Sequence, residues 1–482
     1  MLDGPLAETT EALQHSGNPG AGGTGAGVFH AMTREELMSQ KGISRGVSQG
    51  ISRGISRGIS RRSLFTRSGA LVAGAAVMGP WTHNRVYAAS SDKPLKLGFT
   101  SDASGQYANS GASDRRGMLM AIAEFNAMGG VLGRQIETIH LDTETTPATG
   151  SRVAERLITR DECAFLIGAV SSGVANAVGQ VAQKYGAIYL NTNSSSPSEA
   201  GKDCHRVKFV WDGNGTNFAL ASVRNAIDSF GKRWMLVTND YVWGHNTSAA
   251  TRKLVEANGG EILSEVLVPQ GTRDFSAVLL QVQQAGADVI AAAVGGDDQK
   301  AMRQQVAELG MGEKPAWINN QQDWPDVYGL PLDNLFGVFG TTWYWKLDLP
   351  GVADFVRRYQ EAYPETAMRV PGNVLYNGYM ATRELLRCVE EAGTTNNIAV
   401  IKLLEGRKMS ATDRMQHDDA VIDPVTHQVQ QTIYLATANV GTQDPDDMFK
   451  ILSHSSPDSV VDAEAAETCK LESYADTPTY EM

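Results

Sequence analysis

The sequence predicts an α/β protein with two doubly wound, Rossmann-like lobes built on parallel sheets. Three observations lead there. From Lys93 onward, short apolar runs alternate with helix-length amphipathic stretches almost without a break, the pattern of a parallel sheet covered on both faces. A second series of the same kind starts past "GNGT" at 213–216. Three helical stretches, 349–363, 371–392 and 396–406, then outnumber the strands beside them, so they return to complete the first lobe rather than found a third. A chain of 482 residues is long enough for two or three domains with cores of their own.

Each element has its own signal. "LKLGFT" (95–100) reads as a buried strand, and 113–130 as an amphipathic helix stopped by glycines. "QIETIHLDT", the helix "TGSRVAERLITRD", the strand "AFLIGAV", a small-residue helix and "AIYLNTN" follow. The second series runs helix 217–230, "RWMLVTND", helix 243–258, "EILSEVLVP", "DFSAVLLQVQQAGA", "DVIAAAVG", helix 299–309 and "AWINNQ". "LFGVFGTTWYW" precedes the three returning helices, and "TIYLATANV" reads as a late strand. The tail from Gly441, rich in Asp, Pro and Ser, is expected to be loosely ordered except where Cys469 pins it.

The formal charge of −12 and the lack of a Lys/Arg stripe in the globular part exclude a nucleic-acid partner. Residues 42–60 repeat a four-residue unit with Gly at each turn, a composition that cannot build a core. Directly after it, "SRRSLFTRSGALVAGAAVMGP" sets Arg61 and Arg62 before a Gly/Ala-rich apolar run too short to span a membrane. This stretch resembles a twin-arginine signal peptide, and "VYA" at 86–88 supplies the small residues of a cleavage site. Residues 1–88 therefore read as a disordered leader plus export signal, and the mature chain is expected in the periplasm.

The stretch "FLIGAVSSGVANAVGQ" holds a functional signal. An apolar run closes on Gly168, and Ser171 and Ser172 stand where a helix opens, with free backbone N–H groups beside hydroxyl donors. That arrangement suits an anion; ordinary N-capping by Ser is the competing reading.

The order of elements, together with "LGFTSDASGQYANSG", "EFNAMGGVLGRQIE", "IGAVSSGVANAV", "GAIYLNTNSSSP", "NDYVWGHN", "TRDFSAVLLQVQQAGADVI" and "GVADFVRRYQEAYPE", resembles the substrate-binding proteins of ABC importers of the branched-chain amino acid and amide type. The resemblance covers nearly all of residues 93–440. It implies a type I periplasmic binding protein: two lobes joined by a three-segment hinge, closing on ligand like a clamp. Lobe 1 is then 93–212 with 343–410, and lobe 2 is 213–342 with 411–440. The crossings are expected near Asp212–Thr216, Thr342–Trp345 and Met409–Met415.

The resemblance also implies cleft positions. Ser171 and Ser172 match the turn that holds a ligand carboxylate, and Asn193 with Ser195 the next strand end. Ser110 and Trp243 each match a tyrosine. Asp297 or Asp298 falls where an aromatic residue follows "GG", and Asn320 lies near an acidic position that pairs with a ligand amine. These departures point away from a leucine-like substrate, toward a more polar pocket with one large aromatic wall. All nine lie at strand ends, where ligands of open α/β sheets sit. Trp243 as a core residue and Asp297 or Asp298 as helix caps are the competing assignments.

The chain thus reads as a solute receptor, monomeric and without cofactor, whose partners are a small polar ligand and ABC permease subunits. A sensor module of the same fold is the alternative. An exported cofactor enzyme lacks support: "GGTGAG" precedes any strand, no G-x-S-x-G elbow occurs in the globular part from Lys93 onward, and His417, Asp418, Asp419 and His427 fit no helical metal motif. Cys163 and Cys204 flank neighbouring first-lobe strands, which predicts a bridge between them, leaving Cys388 to pair with Cys469.

Overall fold

The computed structural model describes residues 93–482; the expected leader and export signal of residues 1–88 lie outside the described residues. β1 (Leu95–Phe99), β2 (Ile136–His140), β3 (Phe165–Gly168), β4 (Ile188–Asn191) and β5 (Lys208–Val210) form a parallel sheet in the order β2-β1-β3-β4-β5. β6 (Arg233–Asn239), β7 (Glu261–Val268), β8 (Val289–Ala293), β9 (Ala316–Asn319) and β10 (Val338–Thr341) repeat that order as β7-β6-β8-β9-β10. Both sheets are therefore doubly wound in the same sense, each with its switch point between its first and third strands.

Burial on both faces explains the apolar strand runs. Met235, Val237, Ile290, Ala292 and Trp317 enter one core of the second lobe, while their neighbours Trp234, Leu236, Val289, Ala291 and Ile318 enter another on the opposite face. In the first lobe the long helix Asn373–Ala392 returns to pack along the helix Ala108–Ala127. Gly117 makes that approach possible, because a Cβ there would stand 2.0 Å from the Leu375 carbonyl oxygen.

The passages between the sheets follow the expected hinge only in part. Thr342 donates to Asp212 Oδ1 at 3.1 Å, tying the first two crossings together. β11 (Lys408–Met409), β12 (Ala420–Ile422) and β13 (Val429–Gln430) form a small antiparallel sheet that meets β5 through a Val210–Gln428 bridge. The third crossing therefore comes between Gln430 and Ile433, later than expected, and residues 411–430 stay beside the first sheet. β14 (Ile433–Ala438) then runs antiparallel to β10, and β15 (Phe449–Ser455) antiparallel to β14.

The tail is ordered, contrary to its composition. Beyond β15, Asn217 donates to the Val460 carbonyl at 2.6 Å, and the helix Ala463–Thr468 leads to a disulfide between Cys469 and Cys204, whose Cα atoms are 5.6 Å apart. The chain so makes a fourth passage back to the first lobe, where Glu472 takes His205 and the Arg206 amide. Both expected bridges are overturned. Cys163 and Cys388 are free and sealed in the first-lobe core, and burial pushes both thiols up to about 12. Among the described residues no helix is long and apolar enough to cross a membrane.

Candidate functional site

The two switch points face one another. A small cavity of about 20 Å³ lies between them, lined from the first lobe by Tyr107, Val170, Asn193 and Ser195. Tyr241, Trp243, Gly295, Gln299, Gln321, Asp323 and Asp326 complete the lining. Doubly wound sheets direct the loops after their first and third strands to this place, here after β1, β3, β6 and β8.

Direct contacts hold the two sides together. The Tyr107 and Tyr241 hydroxyls hydrogen-bond to each other, and Ser195 Oγ donates to Gln321 Oε1 at 2.5 Å. Ser110 Oγ donates to Asp326 Oδ1 at 3.1 Å, and Gln106 Nε2 to the Gly295 carbonyl at 2.8 Å. Gly296, at φ +62°, lets the Gln106 loop approach this closely, since a Cβ there would lie 2.8 Å from the Gln106 carbonyl oxygen. Small-molecule pockets usually measure about 300–1,000 Å³. A solute therefore enters only when lobes or side chains part.

The serine turn is built otherwise than expected. Gly168, at φ +128°, allows β3 to pass close to the Ser101 backbone and brings Asp102 to the mouth of the helix Ser172–Tyr185. The Val170 amide donates to Asp102 Oδ2 at 3.3 Å, and Thr143 Oγ1 donates to Oδ1 at 2.5 Å. Burial pushes the Asp102 carboxyl up to about 6. Neither serine lines the cavity. Ser171 occupies the N-cap without a side-chain capping bond, while Ser172 accepts from Ser194 at 3.0 Å in a buried network around Glu199.

The other expected positions divide. Asn193, Ser195 and Trp243 line the cavity. Ser110 lies inside the first helix, which starts at Ala108 rather than 113, and reaches the site only through Asp326. Asn320 turns away to Thr251 Oγ1 at 2.8 Å. The helix Gly296–Glu308 starts earlier than expected, so Asp297 and Asp298 sit in its first turn behind the Gly295 N-cap and outside the lining. Both pair with Arg273, and Asp298 also binds Asn239 and the Gly271 amide.

The acidic groups at the cavity are Asp323 and Asp326, just past Asn320. Asp323 Oδ1 accepts from Gln321 at 3.0 Å and from Asn373 at 2.8 Å. Asp326 Oδ2 accepts from the Gly296 amide at 2.8 Å. Burial, reinforced by Asp323, pushes the Asp326 carboxyl up to about 8; burial and Asp323 also raise Asp212. His417, Asp418 and His427 do not converge: His417 stacks on His454, Asp418 binds Thr432, and His427 stacks on Phe209.

Two doubly wound lobes facing each other across a polar and aromatic cleft define a two-lobed solute-binding protein. Residues 94–444 match the periplasmic binding protein family, and the chain belongs to that family. It is 26% identical over 360 residues to Leu/Ile/Val-binding protein homolog 7 of Brucella suis biovar 1, spanning 71% of this chain and 85% of that one. Its fold matches a Burkholderia mallei periplasmic binding protein at TM-score 0.72 and 24% identity, covering 79% of this chain and all of the other. It also matches a solute-binding protein of an ABC transporter from Rhodopseudomonas palustris BisB5, in complex with 3,4-dihydroxybenzoic acid. There the TM-score is 0.67 at 19% identity, over 76% of this chain and 98% of the other. The fold is that of type I periplasmic binding proteins.

Proposed function

We propose that this protein is a monomeric periplasmic solute receptor that captures a small polar molecule between its lobes and delivers it to the permease subunits of an ABC importer. The observation that carries the reading is the cleft itself. Tyr107, Ser195 and Ser110 of one side bond directly to Tyr241, Gln321 and Asp326 of the other, so parting and rejoining these pairs couples occupancy to lobe geometry. The family, the ABC-type relatives and the twin-arginine-like stretch before residue 89 support delivery and export. Asn193, Ser195 and Trp243 contact the solute in this reading, with Tyr107, Tyr241, Gln321 and Asp323.

Mass spectrometry of small molecules released on denaturing the purified protein tests it. One compound near a one-to-one ratio is expected, reduced at least tenfold in a Trp243→Ala variant. Equal recovery from the two proteins contradicts the assignment of the cleft.

A further inference from the structure

We infer that the cleft selects an amine-bearing solute without a free carboxylate, and that Asp102 is the residue that turns carboxylates away; this rests on the receptor reading. Of the turn after β3 only Val170 lines the cavity, so its amide is the backbone donor that this turn could offer to a solute carboxylate. The chain's own Asp102, 1% exposed, already takes the Val170 amide at 3.3 Å and the Thr143 hydroxyl, and forms no ion pair. A solute carboxylate at this turn would compete with Asp102 for that amide and meet a buried acid directly behind it.

The rest of the cavity points the same way. Its lining holds Asp323 and Asp326 and neither Lys nor Arg. Asp323 Oδ1 accepts two bonds while Oδ2 accepts none, which leaves an acceptor for an ammonium or amide N–H. Tyr107, Tyr241 and Trp243 add three aromatic rings to the lining, and a cation is attracted to the face of such a ring. Independently, the Trp243 indole N–H is buried without a partner, the residue being 5% exposed. A buried donor of this kind asks for an acceptor on the solute, and a hydroxyl or amide oxygen supplies one. An amino alcohol or amino amide satisfies all of these groups at once.

Equilibrium dialysis of the full chain against an equimolar mixture, with bound compounds read by mass spectrometry, tests the inference. The mixture contains leucinamide, isopentylamine, tyramine and ethanolamine, together with L-leucine, L-tyrosine, isovalerate and 4-hydroxybenzoate. The wild type should retain one or more of the four amines at least about tenfold over every carboxylate, the factor expected from one charge-assisted hydrogen bond. Asp102→Asn, or Asp102→Ala if the first does not fold, should narrow that preference about tenfold. Wild-type preference for a carboxylate overturns the inference and leaves the receptor reading standing. An unchanged preference in the folded variant overturns the role of Asp102. Retention of none of the eight compounds overturns the selectivity inference, while a different compound released from the purified protein would keep the receptor reading intact.

Discussion

Tyr107, on the loop after β1, and Tyr241, on the loop after β6, meet hydroxyl to hydroxyl across the cleft, their ring centroids 6.5 Å apart. The two residues follow the first strands of two sheets with the same strand order, so the contact joins equivalent points of the two lobes.

Removing that contact loosens closure without unfolding either lobe. Tyr107→Phe or Tyr241→Phe keeps the ring and deletes one buried bond, which contributes about 0.5–1.5 kcal/mol. Small-angle scattering should show either variant with a larger radius of gyration than the wild type at equal unfolding midpoint. A lowered midpoint with unchanged radius would assign the pair to folding instead.

The serines separate stability from binding. Ser172→Ala removes a partner of Ser194 beside the buried Glu199 carboxylate, and should cost about 1–3 kcal/mol in denaturant unfolding. Affinity for the compound recovered from the purified protein should stay within about threefold. Ser195→Ala should show the reverse, because Ser195 lines the cavity and bonds Gln321. A tenfold affinity loss in Ser172→Ala would return that hydroxyl to the binding surface.

Stability should fall as pH rises from about 4 toward 8. Burial raises Asp102 to about 6, Asp114 to about 7 and Asp326 to about 8. Each carboxyl holds its proton to higher pH folded than unfolded, so the native state binds the extra protons in that window and their stabilising effect is lost as they leave. Denaturation midpoints at pH 5 and pH 8 check this, and Asp326→Asn should flatten the upper part of the decline. A cationic solute favours the ionised acids, so its affinity should increase across the same range.

The tail depends on its disulfide. Cys469→Ser frees a segment that returns to the first lobe through Cys204 and should lower stability by about 2–4 kcal/mol. Thiol titration of the mature protein should find no reactive cysteine while folded and two, Cys163 and Cys388, after unfolding without reductant. A Cys163–Cys204 peptide in a non-reducing map would contradict the structure.

The lobes were legible because both faces of each sheet are buried, which forces near-continuous apolar strands separated by amphipathic helices. Strand ends were legible for the same reason, and they brought Asn193, Ser195 and Trp243 to the lining. Which residue of each loop faces the cleft was not. At "GGDD" the positive-φ turn at Gly296 puts the Gln106 loop against the glycines and sends Asp297 and Asp298 toward Arg273. At "NNQQDWPD" the strand ends at Asn319, Asn320 faces the core, and a short helix with Pro325 in its first turn presents Asp323 and Asp326. The Asp-x-Pro signature of a helix start was a usable signal there. The disulfide followed the path of the tail, which depends on contacts such as Asn217 with Val460 that no local pattern encodes.

A clamp between lobes changes the size of the particle on binding, which scattering of the wild-type protein with and without the compound recovered from it reads out. The solute-free protein must open to admit a molecule larger than the present cavity, so its radius of gyration should be larger than that of the saturated protein. Identical radii in the two states, at concentrations where calorimetry shows full binding, would contradict the account.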